Sequence, residues 1–542
     1  MDPTAQEFQT RTFSIKLWPP SASTRATLVD KMTKNLSSET IFSRKYGLLS
    51  KEEAYENAKH IEDECFIAAS EHFQNEPDGD GSSAVQFYAK QSSKLMLEVL
   101  KRGPKAKENG EVTAVGGLAK TVETLFDISG GKRTFIEAEE ARELLRPLAV
   151  QGNSYSKICF SNRSFSVEAA HVAAPILASL KEQLTEVNLS DFVAGRPEDD
   201  ALEVMKIFSS ALEGTVLRYL NLSDNALGEK GVRAFGALLK SQNSLEELYL
   251  MNDGISEEAA KAVCELIPST DKLTTLHFHN NMTGDEGAIA ISKLLKCSPL
   301  LEDFRCSSTR VGSDGGIELA KALETCTHLR NIDLRDNIFG VDAGIALSKA
   351  MEKLVHVTEI YLSYLNLEDK GAVAIANALK NFAPSLQVLD IGGNDITLRA
   401  VPALADCIAA KKSLRKLFLF ENELKDQGAV VIGKALEDDH PLLEELDLSS
   451  NMIRRVGARC LAQAVSDKPN FKLLNINGNF IPDEGIDEVK EILKQGKNSE
   501  DVLGSLDEND PEGSEDQEEE DGEAEVEQGE LESKLHHLKV ED

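Results

Sequence analysis

The sequence predicts an α/β solenoid, preceded by a small all-helical region and followed by a disordered acidic tail. Three observations predict it. An eleven-residue string written LxxLxLxxNxL recurs twelve times, at 28 or 29 residues with one longer interval. Within each string apolar and polar residues alternate, as in a strand with one buried face. Between strings Ala and Leu recur at i, i+3, i+4 and i+7, as in a helix with one apolar stripe. A strand-plus-helix unit of this size cannot bury its apolar face alone, so successive units stack into one continuous core. The organisation read from this is a helical region at 1–115, a linker and N-terminal cap at 116–154, the array at 155–500 and the tail at 501–542.

The N-terminal region lacks the repeat and holds the sole tryptophan, in FSIKLWPPSASTRATLVDKM at 13–32. Trp18, Pro19 and Pro20 make a stiff extended entry. Three helical patterns follow at 22–35, 51–75 and 83–102, the first capped by Ser21 or Ser23. Trp18 is core or exposed anchor, and core is the preferred reading. From 103 to 150 the chain is rich in Gly and Lys, then partly helical over FIEAEEARELLRPL at 135–148.

The repeat reads clearly as LRYLNLSDNAL at 217–227, LEELYLMNDGI at 245–255 and LEELDLSSNMI at 443–453, and in degenerate form as YSKICFSNRSF at 155–165. This is a leucine-rich repeat. Its Asn slot falls at 163, 192, 225, 253, 281, 309, 337, 365, 394, 422, 451 and 479, and seven of the twelve slots hold Asn. The Asn side chain is expected to point inward at the strand exit, where it satisfies loop backbone groups. Leu222, Leu250 and Leu334 are expected in the core. The period belongs to the long repeat class and resembles ribonuclease inhibitor, which implies a horseshoe with its parallel sheet concave. The one irregular interval, 33 residues between slots 192 and 225, contains SDFVAGRPEDDALEVM at 190–205. An insertion in a regular array is expected to emerge as a rim loop, here presenting Arg196 beside Gly195 and Pro197. On spacing alone Arg196 is equally a solvated arginine.

The exposed strand positions include Glu247, Asp303, Asp333, Glu359, Asp390, Glu445 and Asp447, with Tyr249, Tyr361, Phe418 and Phe420 among them. They read either as a solvated sheet face or as a surface for a partner with a basic patch. His277 and His279 point to the same face and are expected to be solvated. Cys264, Cys297 and Cys326 on helical faces are expected to be buried thiols.

Composition excludes several classes. A formal net charge of −33 disfavours nucleic acid. Eight cysteines lie singly, without CxxC spacing or a nearby His, which fits a reducing compartment and neither zinc nor disulfides. The first thirty residues lack an apolar h-region, and the longest apolar stretch, at 169–180, is interrupted by His171 and Pro175. A soluble intracellular protein without membrane insertion is expected. Gly131-Lys132-Arg133 lacks the context of a phosphate-binding loop, no GxSxG or HExxH occurs, and no metal site is expected. Nothing makes the chain a self-contained enzyme. The tail from 501 carries 18 Asp or Glu and 2 Lys, too polar to fold alone. It reads as a solubilising segment or as an arm that meets a basic partner, and its deletion is expected to leave the fold intact.

SDFVAGR at 190–196, LNLSDNALGEKGVRAF at 220–235 and LYLMNDG at 248–254 together resemble the Ran GTPase-activating protein family. FSIKLWPPS at 13–21 resembles the WPP domain of its plant members. The resemblance implies activation of GTP hydrolysis on Ran, in support of nucleocytoplasmic transport and mitosis. It implies Asn252 as the catalytic asparagine, one residue before its slot, where a neutral amide can donate and accept. It assigns Arg196, Asp191, Gly195, Asp224 and Asn225 to Ran binding, and Arg196 to orientation rather than to an inserted finger. Ran in its GTP form would carry the magnesium and nucleotide, leaving this chain without a cofactor. Trp18, Pro19 and Pro20 would serve targeting, through coiled-coil proteins, to the cytoplasmic face of the nuclear envelope, and to the division plane or spindle in mitosis. Asp253 departs from the family pattern of Asn or Cys and receives no role. The rival reading of the residues is a non-catalytic leucine-rich-repeat scaffold or inhibitor.

Overall fold

A computed structural model describes residues 18–20, 22–37, 49–75, 82–102, 124–130, 133–437, 439–497 and 500–510. The chain divides into two compact units, Met1–Leu118 and Ala119–Asp542. Ser21, the side chain of Ser23, Gly131, Lys132 and the tail beyond 510 lie outside the described residues.

The first unit contains α1 (Ala22–Leu36), α2 (Lys51–Asn75) and α3 (Ser82–Arg102). Ala54, Ala58, Ile61, Cys65 and Ala69 form one buried stripe along α2, the spacing of a helix face turned to its neighbours. Trp18 is 3% exposed, stacked on Phe66 at 5.5 Å and tilted against Tyr88 at 5.9 Å. It is core. Arg25 reaches the buried Glu62 with two bonds of 2.7 and 2.6 Å and lies over the Phe66 ring. The charge is thereby kept paired inside an apolar cluster.

Among the described residues of the second unit, thirteen three-residue strands from Leu125–Asp127 to Leu473–Asn475 form one sheet, each pairing with the next. All pairs are parallel and in register, as in Leu220↔Leu248↔Leu276. The central residue of each strand points into the core, and Leu222, Leu250 and Leu334 are buried with it. Helices between the strands present Ala and Leu to the same core, as Ala288, Ile291 and Leu295 do in Gly284–Lys296. Among the described residues no helix is long and apolar enough to cross a membrane, and no His, Cys, Asp and Glu cluster could hold a metal ion.

The structure refines the boundaries read from the sequence. The segment read as linker and N-terminal cap supplies the first strand, with Phe126 opposite Ile158. Within 135–148, read as partly helical, the helix runs from Ala138 to Leu144. Thr134–Ile136 is instead a strand, paired in a two-stranded ribbon with Arg163–Phe165. That partner is distant in sequence, and local periodicity cannot reveal it. Nor does the array stop at 500. Leu503 bridges to Leu474, Val502 is buried, and Asn509 Oδ1 accepts from Asn479 N at 3.0 Å. The last contact copies the link between consecutive Asn slots, such as Asn451 N to Asn479 Oδ1 at 2.8 Å. Residues 500–510 therefore close the open end of the sheet. Among the thiols expected to be buried, Cys326 is buried, Cys264 half-buried and Cys297 exposed.

Candidate functional site

Every exit turn places the residue before its Asn slot in the left-handed region. The series runs Asn162, Asp191, Asp224, Asn252, Asn280, Ser308, Asp336, Tyr364, Gly393, Glu421, Ser450 and Gly478, with φ between 49° and 65°. Behind it the slot residues form a buried ladder. Asn281 Oδ1 accepts from the backbone N–H groups of Asp253 and Ile255 at 3.0 and 2.9 Å. Its Nδ2 donates to the carbonyls of Leu250 and Phe278 at 2.7 and 2.5 Å. These bonds satisfy turn groups that would otherwise be buried unpaired. The rim is thus a row of left-handed turn residues, one per repeat.

Asn252 stands on that row, exposed. Its Nδ2 donates to Asp224 Oδ1 at 2.9 Å, and its Oδ1 accepts from Asn280 Nδ2 at 2.9 Å. Both partners are themselves exposed, so an incoming group can exchange with them. The three side chains separate two open grooves. One, of about 660 Å³, lies between the insertion and Asp224 and is edged by Arg196, Met205 and Lys230. The other, of about 510 Å³, is edged by Asn252, Met282, Arg310 and Ile338. Asn280 was not singled out in the sequence, although adding one repeat to Asn252 reaches it.

The other assigned residues sit differently. Asp224 is exposed, but Asn225 is buried in the ladder, donating to Leu189 O and Leu222 O at 2.8 and 2.7 Å. Asp191 is buried and holds Arg133 with two bonds of 2.8 and 2.7 Å. Gly195 has a φ of +80°, and a Cβ there would stand 3.1 Å from the Phe135 ring. Arg196 turns inward, its side chain 14% exposed. Its guanidinium meets Glu137 at 2.9 Å and donates to Ser164 O and Ile136 O at 2.8 and 3.2 Å. It also lies over the Phe135 ring at 4.9 Å. The hydrogen bond and charge of Arg196 hold the Glu137 carboxyl below its usual range. The side chains of Asp191 and Asn225 thus bond within this chain, as do both terminal guanidinium nitrogens of Arg196, whose Nε is buried without a hydrogen-bond partner. The insertion is not a loose loop. It is a tight turn leading into the helix Glu198–Leu212, whose first turn carries Glu198, Asp199 and Asp200, favourable beside the helix N-terminal dipole. What the insertion leaves outward is Phe135, 52% exposed, a residue sequence reasoning passed over because it lay inside an expected helix.

The sheet face is also less open than its sequence implies. Arg305 pairs with Asp303 at 3.1 Å and Arg335 with Asp333 at 2.8 Å; Lys416 pairs with Glu445 at 2.9 Å. Tyr249 donates to Glu247 at 2.7 Å, and Tyr361 to Glu359 at 3.0 Å. Asp333 and Asp390 are buried. Burial raises Asp390 to about 6. Burial also pulls Asp303 upward, but hydrogen bonds from His277 and Arg305 bring it down to about 2. His277 is buried beside Asp303 rather than solvated, and burial lowers the half-buried His279. The acids along this face are matched by their own neighbours.

Comparison with known proteins bears on both units. The WPP domain family model matches residues 14–110, and the Leucine Rich repeat model matches 215–236, 382–405 and 439–462. WPP domain-containing protein 1 of Arabidopsis thaliana is 40% identical over 90 residues, 17% of this chain and 57% of that one. RAN GTPase-activating protein 2 of Arabidopsis thaliana is 70% identical over 533 residues, 97% of each chain. RAN GTPase-activating protein 1 of the same organism is 64% identical over 540 residues, 100% of this chain and 99% of that one. With both units matched at this level along the whole chain, the protein belongs to the Ran GTPase-activating protein family.

Proposed function

We propose that this chain activates GTP hydrolysis on Ran through the rim centred on Asn252, acting as an activator and not as a self-contained enzyme. The observation that carries the reading is one exposed amide fixed between Asp224 and Asn280 at 2.9 Å on each side. Water attacks the γ-phosphate held by Ran, with Ran supplying the magnesium and the water-orienting group. The rim contributes position: the Asn252 amide takes up a polar group of Ran and holds it against the attacking water. No arginine finger is supplied by Arg196, whose guanidinium is closed on Glu137, Ile136 and Ser164. Arg196 and Asp191 act on Ran indirectly, by holding the ribbon that bears Arg133 and Phe135. The open groove beside Asp224 is the adjoining contact surface.

The WPP unit serves location. It directs the chain to the cytoplasmic face of the nuclear envelope through coiled-coil proteins, and to the division plane in mitosis, so that hydrolysis supports nucleocytoplasmic transport. Trp18 contributes by building that unit, and Pro19 and Pro20 by shaping its entry. The test is single-turnover hydrolysis on Ran loaded with GTP, with and without the full chain. Acceleration that saturates with protein supports the reading. Tight binding without acceleration would instead establish the scaffold.

A further inference from the structure

Asp253 occupies the slot directly behind Asn252 and is 0% exposed. In all seven Asn slots the amide nitrogen donates to a strand-exit carbonyl of the preceding repeat, as in Asn225 to Leu189, Asn281 to Leu250 and Asn337 to Cys306. Asp253 reproduces the accepting half of that arrangement. Its Oδ1 takes the N–H of Asn225 at 2.8 Å, and the Leu227 N–H also bonds the carboxyl. Its Oδ2, the counterpart of the donating nitrogen in the other slots, is buried without a hydrogen-bond partner. The counterpart carbonyl there belongs to Leu222, and a carbonyl only accepts. An ionised carboxylate would set two acceptors together away from water, a costly arrangement. A proton on Oδ2 supplies the missing donor. Burial first, and then the negative charge of Asp224, push the Asp253 carboxyl well above the usual carboxylate range. Among the described residues Asp224, on the neighbouring exit turn, is the charged group that acts on it.

The backbone of Asp253 is tied to both adjacent repeats. Its N–H donates to Asn281 Oδ1 at 3.0 Å, and its carbonyl accepts from Gly228 N at 3.0 Å. We propose that Asp253 is held as a neutral carboxylic acid, donating from Oδ2 to the Leu222 carbonyl, and is a positioning residue for Asn252. Loss of that proton would loosen the turn and weaken activation. The positioning role rests on the reading of Asn252 above, whereas the bound proton does not.

The sign follows from linkage. The proton is held more tightly in the folded chain, so this contribution to stability is complete below the unfolded carboxylate pKa. It is lost as pH rises toward and through the folded value. Asp253→Asn keeps a donor at every pH and places there the residue that seven other slots already accommodate. Denaturant unfolding of the full chain and of Asp253→Asn, across roughly pH 5 to 9, should diverge by up to about tenfold in folding constant per pH unit. The infrared spectrum of the wild-type chain should show a protonated-carboxyl C=O band that the variant lacks. Single-turnover hydrolysis on Ran should fall at the alkaline end for wild type and hold for the variant. Parallel stability profiles or an absent band would overturn the bound proton. Diverging stabilities with identical activity profiles would overturn the positioning role. If neither protein accelerates hydrolysis at any pH, the reading of the site fails, while the stability and infrared results still decide whether the proton is there.

Discussion

The exit turns at Asp191 and at Asn252 occupy the same rim position two repeats apart, with φ of 52° and 55°. Sequence makes the first conspicuous, because Asp191 and Arg196 carry charge and stand in the one irregular interval. Structure reverses the ranking. Asp191 closes on Arg133, and Arg196 on Glu137 and two carbonyls. The neutral Asn252 side-chain amide is held by two exposed side chains. Charge therefore does not measure availability. A guanidinium bonded to buried carbonyls reaches a partner only by leaving acceptors unsatisfied. An exposed amide can exchange its hydrogen bonds for those of an incoming group or water at little cost.

The same division between committed and open groups gives the largest expected effect, in the WPP unit. Trp18 is committed to its core, while the adjacent Pro19 is exposed. Trp18→Ala should cost about 3–5 kcal/mol, enough to unfold so small a cluster and abolish envelope localisation. Trp18→Phe keeps a ring against Phe66 and should retain both. Amide exchange in α2 left unchanged by Trp18→Ala would show that the indole is not core.

Next in size is the open turn itself. Removing the Asn252 amide should lower the saturating single-turnover rate about 10²–10³-fold, the scale of losing one aligned polar group in a transition state. Folding should barely change in Asn252→Ser, because Ser308 and Ser450 hold the same backbone conformation on this rim. A variant with normal thermal stability and a normal saturating rate would remove Asn252 from the mechanism and leave it a turn residue only.

Arg196→Ala tests the committed turn. Loss of its bonds to Ile136 and Ser164 should cost about 1.5–3 kcal/mol and speed amide exchange in Thr134–Ile136. The apparent affinity for Ran should fall, with a saturating rate close to wild type. An arginine finger would show the opposite, normal exchange in the ribbon and a collapsed saturating rate.

Most of the architecture was legible because it repeats. Strand centres such as Leu220, Leu248 and Leu276 announce themselves through a spacing that chance does not produce, and the helices of the WPP unit through their apolar stripes. Legibility ended where a residue's partner is remote and unrepeated. Nothing near Phe135 in sequence reveals Arg163–Phe165 as the neighbouring strand, and nothing near Arg196 reveals Glu137. Asn252 was placed by resemblance, whereas its bond to Asn280 was available from the period alone. The buried state of Asp253 was legible only as a slot filled by the wrong functional group.

The smallest expected effect lies at the other end of the array, where sequence again misjudged which groups are free. By composition everything after 500 is an acidic tail, and truncation there should be harmless. Yet Asn509 stands as the next rung of the Asn ladder, and Gly504 N donates to Leu474 O at 2.9 Å on the last strand. A chain ending at 500 exposes the edge of Leu473–Asn475 and orphans the Asn479 N–H. It should lose about 1–2 kcal/mol, near one to two net hydrogen bonds, with the earliest amide exchange in the last repeat. A chain ending at 510 should match the full-length protein in stability. If the acidic segment beyond 510 steers Ran, its removal should slow association only at low ionic strength, because screening already cancels that attraction in high salt. Equal stability of the two truncated chains would show that 500–510 merely rests on the array, and the boundary read from composition would stand.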